Sequence, residues 1–112
     1  MKTNTDPILV EESSGNVFAD LGLPDPEERL AKSDLAIAIA REIESRGLTQ
    51  AEAAELLGVA QPDISNLRRG RLAGYSIERL TRLLNALGQD VEIRIRPARA
   101  GKERGHLRVA VG

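Results

Sequence analysis

Residues 50–69, QAEAAELLGVAQPDISNLRR, place a small residue, a glycine and an apolar residue where two helices meeting at a sharp turn need them. Ala54 lies where the first helix faces the second, so a larger side chain there would push the two apart. Gly58 stands at the turn, where a β-carbon would resist the left-handed backbone that such turns commonly use. Ile64 and Leu67 give the second helix an apolar stripe. With that stripe turned inward, the outer face of residues 61–68 is left free. A free helical face held at an angle by its neighbour has the shape that enters a DNA major groove.

Capping signals frame this unit. Thr49 followed by Glu52 is a capping box that opens the first helix, which stops at Leu57. The second helix is expected from Gln61 to about Arg69. Ala60 occupies its N-cap place and cannot accept a bond from the exposed amides. Pro62 removes one of those amides and Asp63 offsets the helix dipole, so the helix is expected all the same. Upstream, Asp25-Pro26-Glu27-Glu28 reads as another helix start, with Asp25 as N-cap, Pro26 at the first helical position and Glu28 reaching back. That helix is expected to run to about Arg46 and end at Gly47, with Leu30, Ile37, Ile39, Ala40 and Ile43 on its inner side. Ser33-Asp34 offers a second start that would split it. Downstream, residues 70–74 form a loop, and Ser76 caps a helix containing Ile77, Leu80, Leu83, Leu84 and Leu87 that Gly88 ends. The total is four or five helices.

The two ends read differently. Residues 1–15 are polar and without period, a flexible arm, and Val17, Phe18, Leu21 and Leu23 form an apolar knot expected to dock as a helical turn. Val91, Ile93 and Ile95 alternate with Glu92, Arg94 and Arg96, the period of a strand with one buried face. A lone strand leaves its amides and carbonyls unpaired. It can pair with its own copy across a two-fold axis, or fold back on residues 106–111, where Leu107, Val109 and Val111 also alternate. The first arrangement is favoured and makes Val91, Ile93 and Ile95 the dimerisation residues. The expected organisation is an acidic arm over 1–24, a DNA-binding domain over 25–89, a strand over 90–96, and a basic tail or second strand over 97–112.

Composition narrows the function. An apolar fraction of 41% over 112 residues, with one Phe, one Tyr and no Trp, supplies one modest helix-rich core. The absence of Cys removes disulfides and thiolate metal sites, and the single His106 makes a poor metal site, so no metal or cofactor is expected. No charged-then-apolar leader is present, and no apolar run approaches the roughly 20 residues of a membrane span, so a soluble cytoplasmic protein without a membrane partner is expected. An enzyme is not expected either, because there is no phosphate-binding glycine loop, no Cys nucleophile and no imidazole besides His106. The net charge of −1 hides a sorting: residues 1–34 carry three basic and eight acidic side chains, residues 61–112 eleven basic and five acidic. The basic part can track phosphates while the acidic part stays off the DNA or meets a basic partner.

Candidate contacts follow from chemistry. Gln61 lies at the end of the second helix that points into the groove and can make a bidentate contact to adenine. Pro62, Asp63, Ser65 and Asn66 complete the base-facing set: Asn66 can read adenine, Asp63 can accept from cytosine, and Ser65 is adaptable. Asp63 reads at least as well as a residue that complements the helix dipole. Thr49 and Gln50 at the start of the first helix, with Arg68, Arg69 and Arg71 at the end of the second, are the phosphate set.

The strings TQAEAAELLGV, DISNLRRG and SIERLTRLLNALG occur in an order that resembles the Cro and lambda-repressor type of helix-turn-helix, the xenobiotic-response-element family, over about residues 35–87. The resemblance implies a mainly α, four- to five-helix lambda-repressor-like bundle with a short C-terminal β-strand paired across a dimer. It also implies that Gln50 holds a phosphate. SSGNVFADLGLPDPEERLAKSDL before the match and DVEIRIRP after it resemble the HigA-type antitoxins, which pair with HigB or RelE-like ribonuclease toxins. Such proteins bind their own near-palindromic operator as homodimers, repress it and neutralise the toxin. Ala60-Gln61-Pro62 departs from the wider family, which often has Ser or Thr at the cap and a small polar residue after Gln; the departure bears on base reading and not on the fold. A stand-alone phage-type or metabolic repressor, and a protein-interaction module that reuses the fold, are the competing functions.

Overall fold

Pro26 starts helix α1 (Pro26–Ser45), where its missing N–H leaves no helical bond unmade. The structure, a computed structural model, describes residue 16 and residues 21–101 and 103–112. The polar stretch 1–15, and Val17 and Phe18 of the apolar knot, lie outside them. Leu21 and Leu23 of that knot are exposed and are not docked. Asn16 is buried and donates from Nδ2 to the Pro26 carbonyl at 2.9 Å.

The helix runs unbroken through Ser33-Asp34. Its inner side is Ala31, Leu35, Ile39 and Ile43, one residue every four, with Ala36 beside them. Ile37, expected inward, is 45% exposed, because two residues from Ile39 is about 200° around a helix of 3.6 residues per turn. Leu30 and Ala40 are half-buried. The expected capping box at its start does not form. Asp25 adopts the left-handed conformation at φ 50° and makes no side-chain cap, while Glu28 pairs with Lys32 at 3.3 Å one turn on.

Three shorter helices follow: α2 (Gln50–Leu57), α3 (Gln61–Arg69) and α4 (Ile77–Ala86). Thr49 and Glu52 form the expected reciprocal box, with the Glu52 N–H donating to Thr49 Oγ1 at 3.1 Å and the Thr49 N–H to Glu52 Oε1 at 2.8 Å. Ser76 caps α4 by accepting the Arg79 N–H at 3.0 Å. The turn between α2 and α3 is closed by the Val59 N–H returning to the Ala54 carbonyl at 3.0 Å, a geometry that needs Gly58 at φ 69°. Gly88 after α4 has a second reason to lack a side chain: the Arg46 guanidinium, bonded to the Leu87 carbonyl, would lie 2.8 Å from its β-carbon.

α1 packs across α4 and α3, and α2 packs on α3. Ile39, Ile64, Leu80 and Leu87 are the fully enclosed centre, with Ala53 and Ala54 keeping α2 close to it. The molecule is thus mainly α, with four helices and no strand among the described residues.

That outcome corrects the strand expected over 90–96. Residues 91–99 form neither helix nor ladder among the described residues, and Val91, Ile93 and Ile95 are 38%, 84% and 92% exposed. The period of two is present, but the described residues offer it no second strand. Fold-back pairing with 106–111 does not form either, because that segment is engaged elsewhere. The Leu107 N–H donates to Glu27 Oε1 at 3.1 Å, His106 Nδ1 meets the other Glu27 oxygen, and Val109 packs against the core. The His106 bond first, and the Leu107 amide second, hold the Glu27 carboxyl below its ordinary pKa.

Candidate nucleic-acid interface

α3 presents two unlike faces. Ile64 and Leu67 point into the core, and their burial fixes the rotation of the helix. Gln61, Pro62, Arg68 and Arg69 are exposed on the other side, followed by Arg71 in the loop, while Ser65 and Asn66 are half-buried at its flank. Of the expected base-facing set, Gln61 and Pro62 are exposed and Asp63, Ser65 and Asn66 are half-buried on the same helix. Thr49 is exposed and Gln50 half-buried at the start of α2. The Thr49 hydroxyl already accepts the Glu52 amide but keeps its own proton to donate.

Asp63 is placed differently from its neighbours. One carboxylate oxygen, Oδ2, accepts the Ala60 N–H at 3.1 Å and lies 3.9 Å from the Arg79 guanidinium; the other, Oδ1, accepts the Tyr75 hydroxyl. Ala60 has no side-chain oxygen, so this is the returning half of a capping box, and it supplies the acceptor that the helix start lacked. The Tyr75 bond, helped by the Ala60 amide and Arg79, holds the Asp63 carboxyl below its ordinary pKa against a smaller opposing effect of burial. Tyr75 is pushed above its ordinary value, by burial first and by the bond to Asp63 second. Arg79 also lies over the Tyr75 ring, 4.6 Å from its centre. Asp63, Tyr75 and Arg79 thus tie the front of α3 to the start of α4, and each Asp63 oxygen keeps acceptor capacity beyond the one hydrogen bond it makes here.

Beside α3 lies an open cleft lined by Arg29, Asn66, Arg71, Tyr75 and Arg79. Arg29 comes from the first turn of α1, where its Nε donates to the Pro24 carbonyl at 2.7 Å. Sequence reasoning had not singled out Tyr75, Arg79 or Arg29. The signal for Tyr75 was present, since the single tyrosine of the chain stands directly before the Ser76 cap, where a buried hydroxyl needs a partner.

No group of three or more His, Cys, Asp or Glu able to hold a metal occurs among the described residues. Nor is any helix among the described residues long and apolar enough to cross a membrane.

Two comparisons with known proteins agree with this geometry. A family described as a helix-turn-helix domain matches residues 17–96. A solved structure described as an XRE family transcriptional regulator is 46% identical, superposes with a TM-score of 0.74, and is matched over 80% of this chain and 100% of its own. No curated protein matches.

Proposed function

This chain belongs to the helix-turn-helix family, a DNA-binding transcriptional regulator of the XRE type, and from that premise we propose that it is a sequence-specific repressor acting as the antitoxin of a toxin–antitoxin pair. The observation that carries the DNA reading is the division of α3, whose Ile64 and Leu67 are enclosed while Gln61, Pro62, Arg68 and Arg69 stand free. A helix held this way can lie in the major groove with its N-terminal end toward the bases. It acts where the DNA is, in the cytosol or at the nucleoid.

Gln61 reads adenine through a bidentate contact, and Asn66 and Ser65 complete the reading from the flank, with Pro62 against the groove wall. Asp63 positions this set by holding the helix start. Thr49, Gln50, Arg68, Arg69 and Arg71 hold phosphates and set the register of the protein on the duplex. A single module buries roughly 600 to 1,000 Å², too little for tight operator binding. Two copies joined through Val91, Ile93 and Ile95 place two α3 helices on half-sites about 34 Å apart, so the operator is near-palindromic.

The antitoxin part is supported by the resemblance of the flanking strings to the HigA branch and by the acidic first third of the chain. That segment complements the charge of a basic ribonuclease of the HigB or RelE kind. The partner is tested by co-expressing the chain with any short basic product encoded beside it. Recovery as one complex that silences the ribonuclease is expected, and independent behaviour of the two would leave a stand-alone repressor.

The DNA reading is tested by selecting sites from random duplex. Gln61→Ala is expected to flatten the preference among selected sites by about 1 to 3 kcal/mol. Arg69→Ala is expected to weaken all sequences alike and lower the salt slope by about one. The reverse behaviour would overturn the division of roles.

A further inference from the structure

Asp90-Val91-Glu92-Ile93-Arg94-Ile95-Arg96 carries a symmetry that its apolar period does not require. Counting outward from Ile93, each acidic residue on one side is matched by a basic residue at the same distance on the other: Glu92 by Arg94, Asp90 by Arg96. The apolar residues match as well, Val91 with Ile95. Such a segment is complementary to itself when reversed, which is the relation between two antiparallel strands across a two-fold axis.

The structure leaves this segment ready for such a partner. Residues 91–99 form neither helix nor ladder among the described residues, and Ile93 and Ile95 are the most exposed large apolar side chains described. The tail that could have covered them is held at Glu27 of α1 instead. Glu92 and Arg94 pair with each other across 3.3 Å on the open surface.

We infer that a second copy of this chain pairs with residues 90–96 in one antiparallel register, with Ile93 facing Ile93 on the two-fold axis. In that register Glu92 faces Arg94 of the other copy, Asp90 faces Arg96, and each pairing occurs twice. The neighbouring registers are worse. Centring on Glu92 sets Glu92 against itself, and centring on Arg94 sets Arg94 against itself. Centring between residues sets the charged row against the apolar row, which a side-chain period of two forbids. Pro97, which has no N–H to give a ladder, stands directly after the paired stretch. The charges therefore select both the register and the partner: a chain with a different pattern here would be rejected.

The inference rests on the dimeric reading above, and is tested without DNA so that it can fail while groove reading stands. Sedimentation equilibrium is run on the full chain carrying Glu92→Arg, Arg94→Glu, both together, and on an equimolar mixture of the two single variants. All altered positions are exposed, so the helical body serves as an internal folding control by its circular dichroism. Each single variant is expected to raise the dimer dissociation constant by about tenfold or more at low salt, because like charges then face each other twice. The double variant and the mixture are expected to return to wild-type association, and the double variant is expected not to pair with the wild type. A wild type that stays monomeric, a single variant that dimerises normally, or a mixture no tighter than its parts would overturn the register. As a second reading, Ile93→Cys in this cysteine-free chain is expected to give an oxidised, cross-linked dimer, while Val91→Cys and Ile95→Cys are expected to cross-link only when mixed. Equal linking at all three positions taken singly would contradict a two-fold axis at Ile93.

Discussion

Ile64 and Ile93 each sit in the middle of a regular apolar period, yet the first is fully enclosed and the second is 84% exposed. The helical period around Ile64 is answered within the chain, because α1, α2 and α4 supply the facing surfaces. The strand period around Ile93 has no second strand to answer it among the described residues. A helix satisfies its own backbone and asks its neighbours only for apolar contact, whereas a strand also asks a partner for hydrogen bonds. Among the described residues the first region is enclosed by its own chain, and the second is where we propose that another copy pairs.

The sharpest way to break this comparison is to damage both centres. Ile64→Ala is expected to cost about 2 to 5 kcal/mol of stability, measured by denaturant unfolding, because the enclosed site cannot collapse fully. Ile93→Ser is expected to leave the unfolding of the monomer unchanged and to shift association instead. Equal loss of stability from the two would mean that Ile93 is part of the folded body. A smaller contrast uses glycine. A β-carbon at Gly58 meets no atom within 4 Å but must adopt φ 69°, so Gly58→Ala is expected to cost about 1 kcal/mol from the backbone alone. Gly105→Ala in the tail, where there is open space and no positive φ, is expected to cost nothing measurable.

Tyr75→Phe sharpens the account of the interface. The carboxyl of Asp63 is held below its ordinary pKa, so the stability it contributes is present above about pH 4 and lost as the pH falls through the lowered value. Removing the hydroxyl removes the main cause, and the fall of the melting temperature between about pH 5 and pH 2 should flatten. An unchanged acid limb would show that Asp63 is held by other groups. The smallest effect is expected from Glu27→Gln, which loosens the tail without touching the core. Amide exchange should rise at residues 106–109 while the melting temperature stays within a degree or so, as for other exposed ion pairs. Exchange that does not change would show that Val109 alone holds the tail.

Most of the helical body was legible because its signals are local. Thr49 with Glu52, Ser76, and the glycines at 47, 58 and 88 mark helix ends through bonds spanning only three to five residues. The outer face of α3 was legible for the same reason, since Ile64 and Leu67 fix its rotation. What was not legible depends on residues distant in sequence. Asp25 looks like a cap, but it adopts the left-handed conformation, where its side chain caps nothing. Asp63 looks free until Tyr75, twelve residues away, takes its oxygen. The alternation of Leu107, Val109 and Val111 was visible, but a period says only that a face is covered. Of the three only Val109 packs on the core, and the segment is held there through its Leu107 amide by Glu27, 80 residues earlier.

The central claim is that the outer face of α3 meets the bases while residues 90–96 meet a second copy. Backbone amide resonances followed by NMR, as a duplex carrying a selected site is added, test it most directly. Shifts are expected at Thr49 and Gln50 and from Gln61 to Arg71, with residues 91–96 unmoved. Shifts concentrated at 91–96 with α3 silent would contradict it.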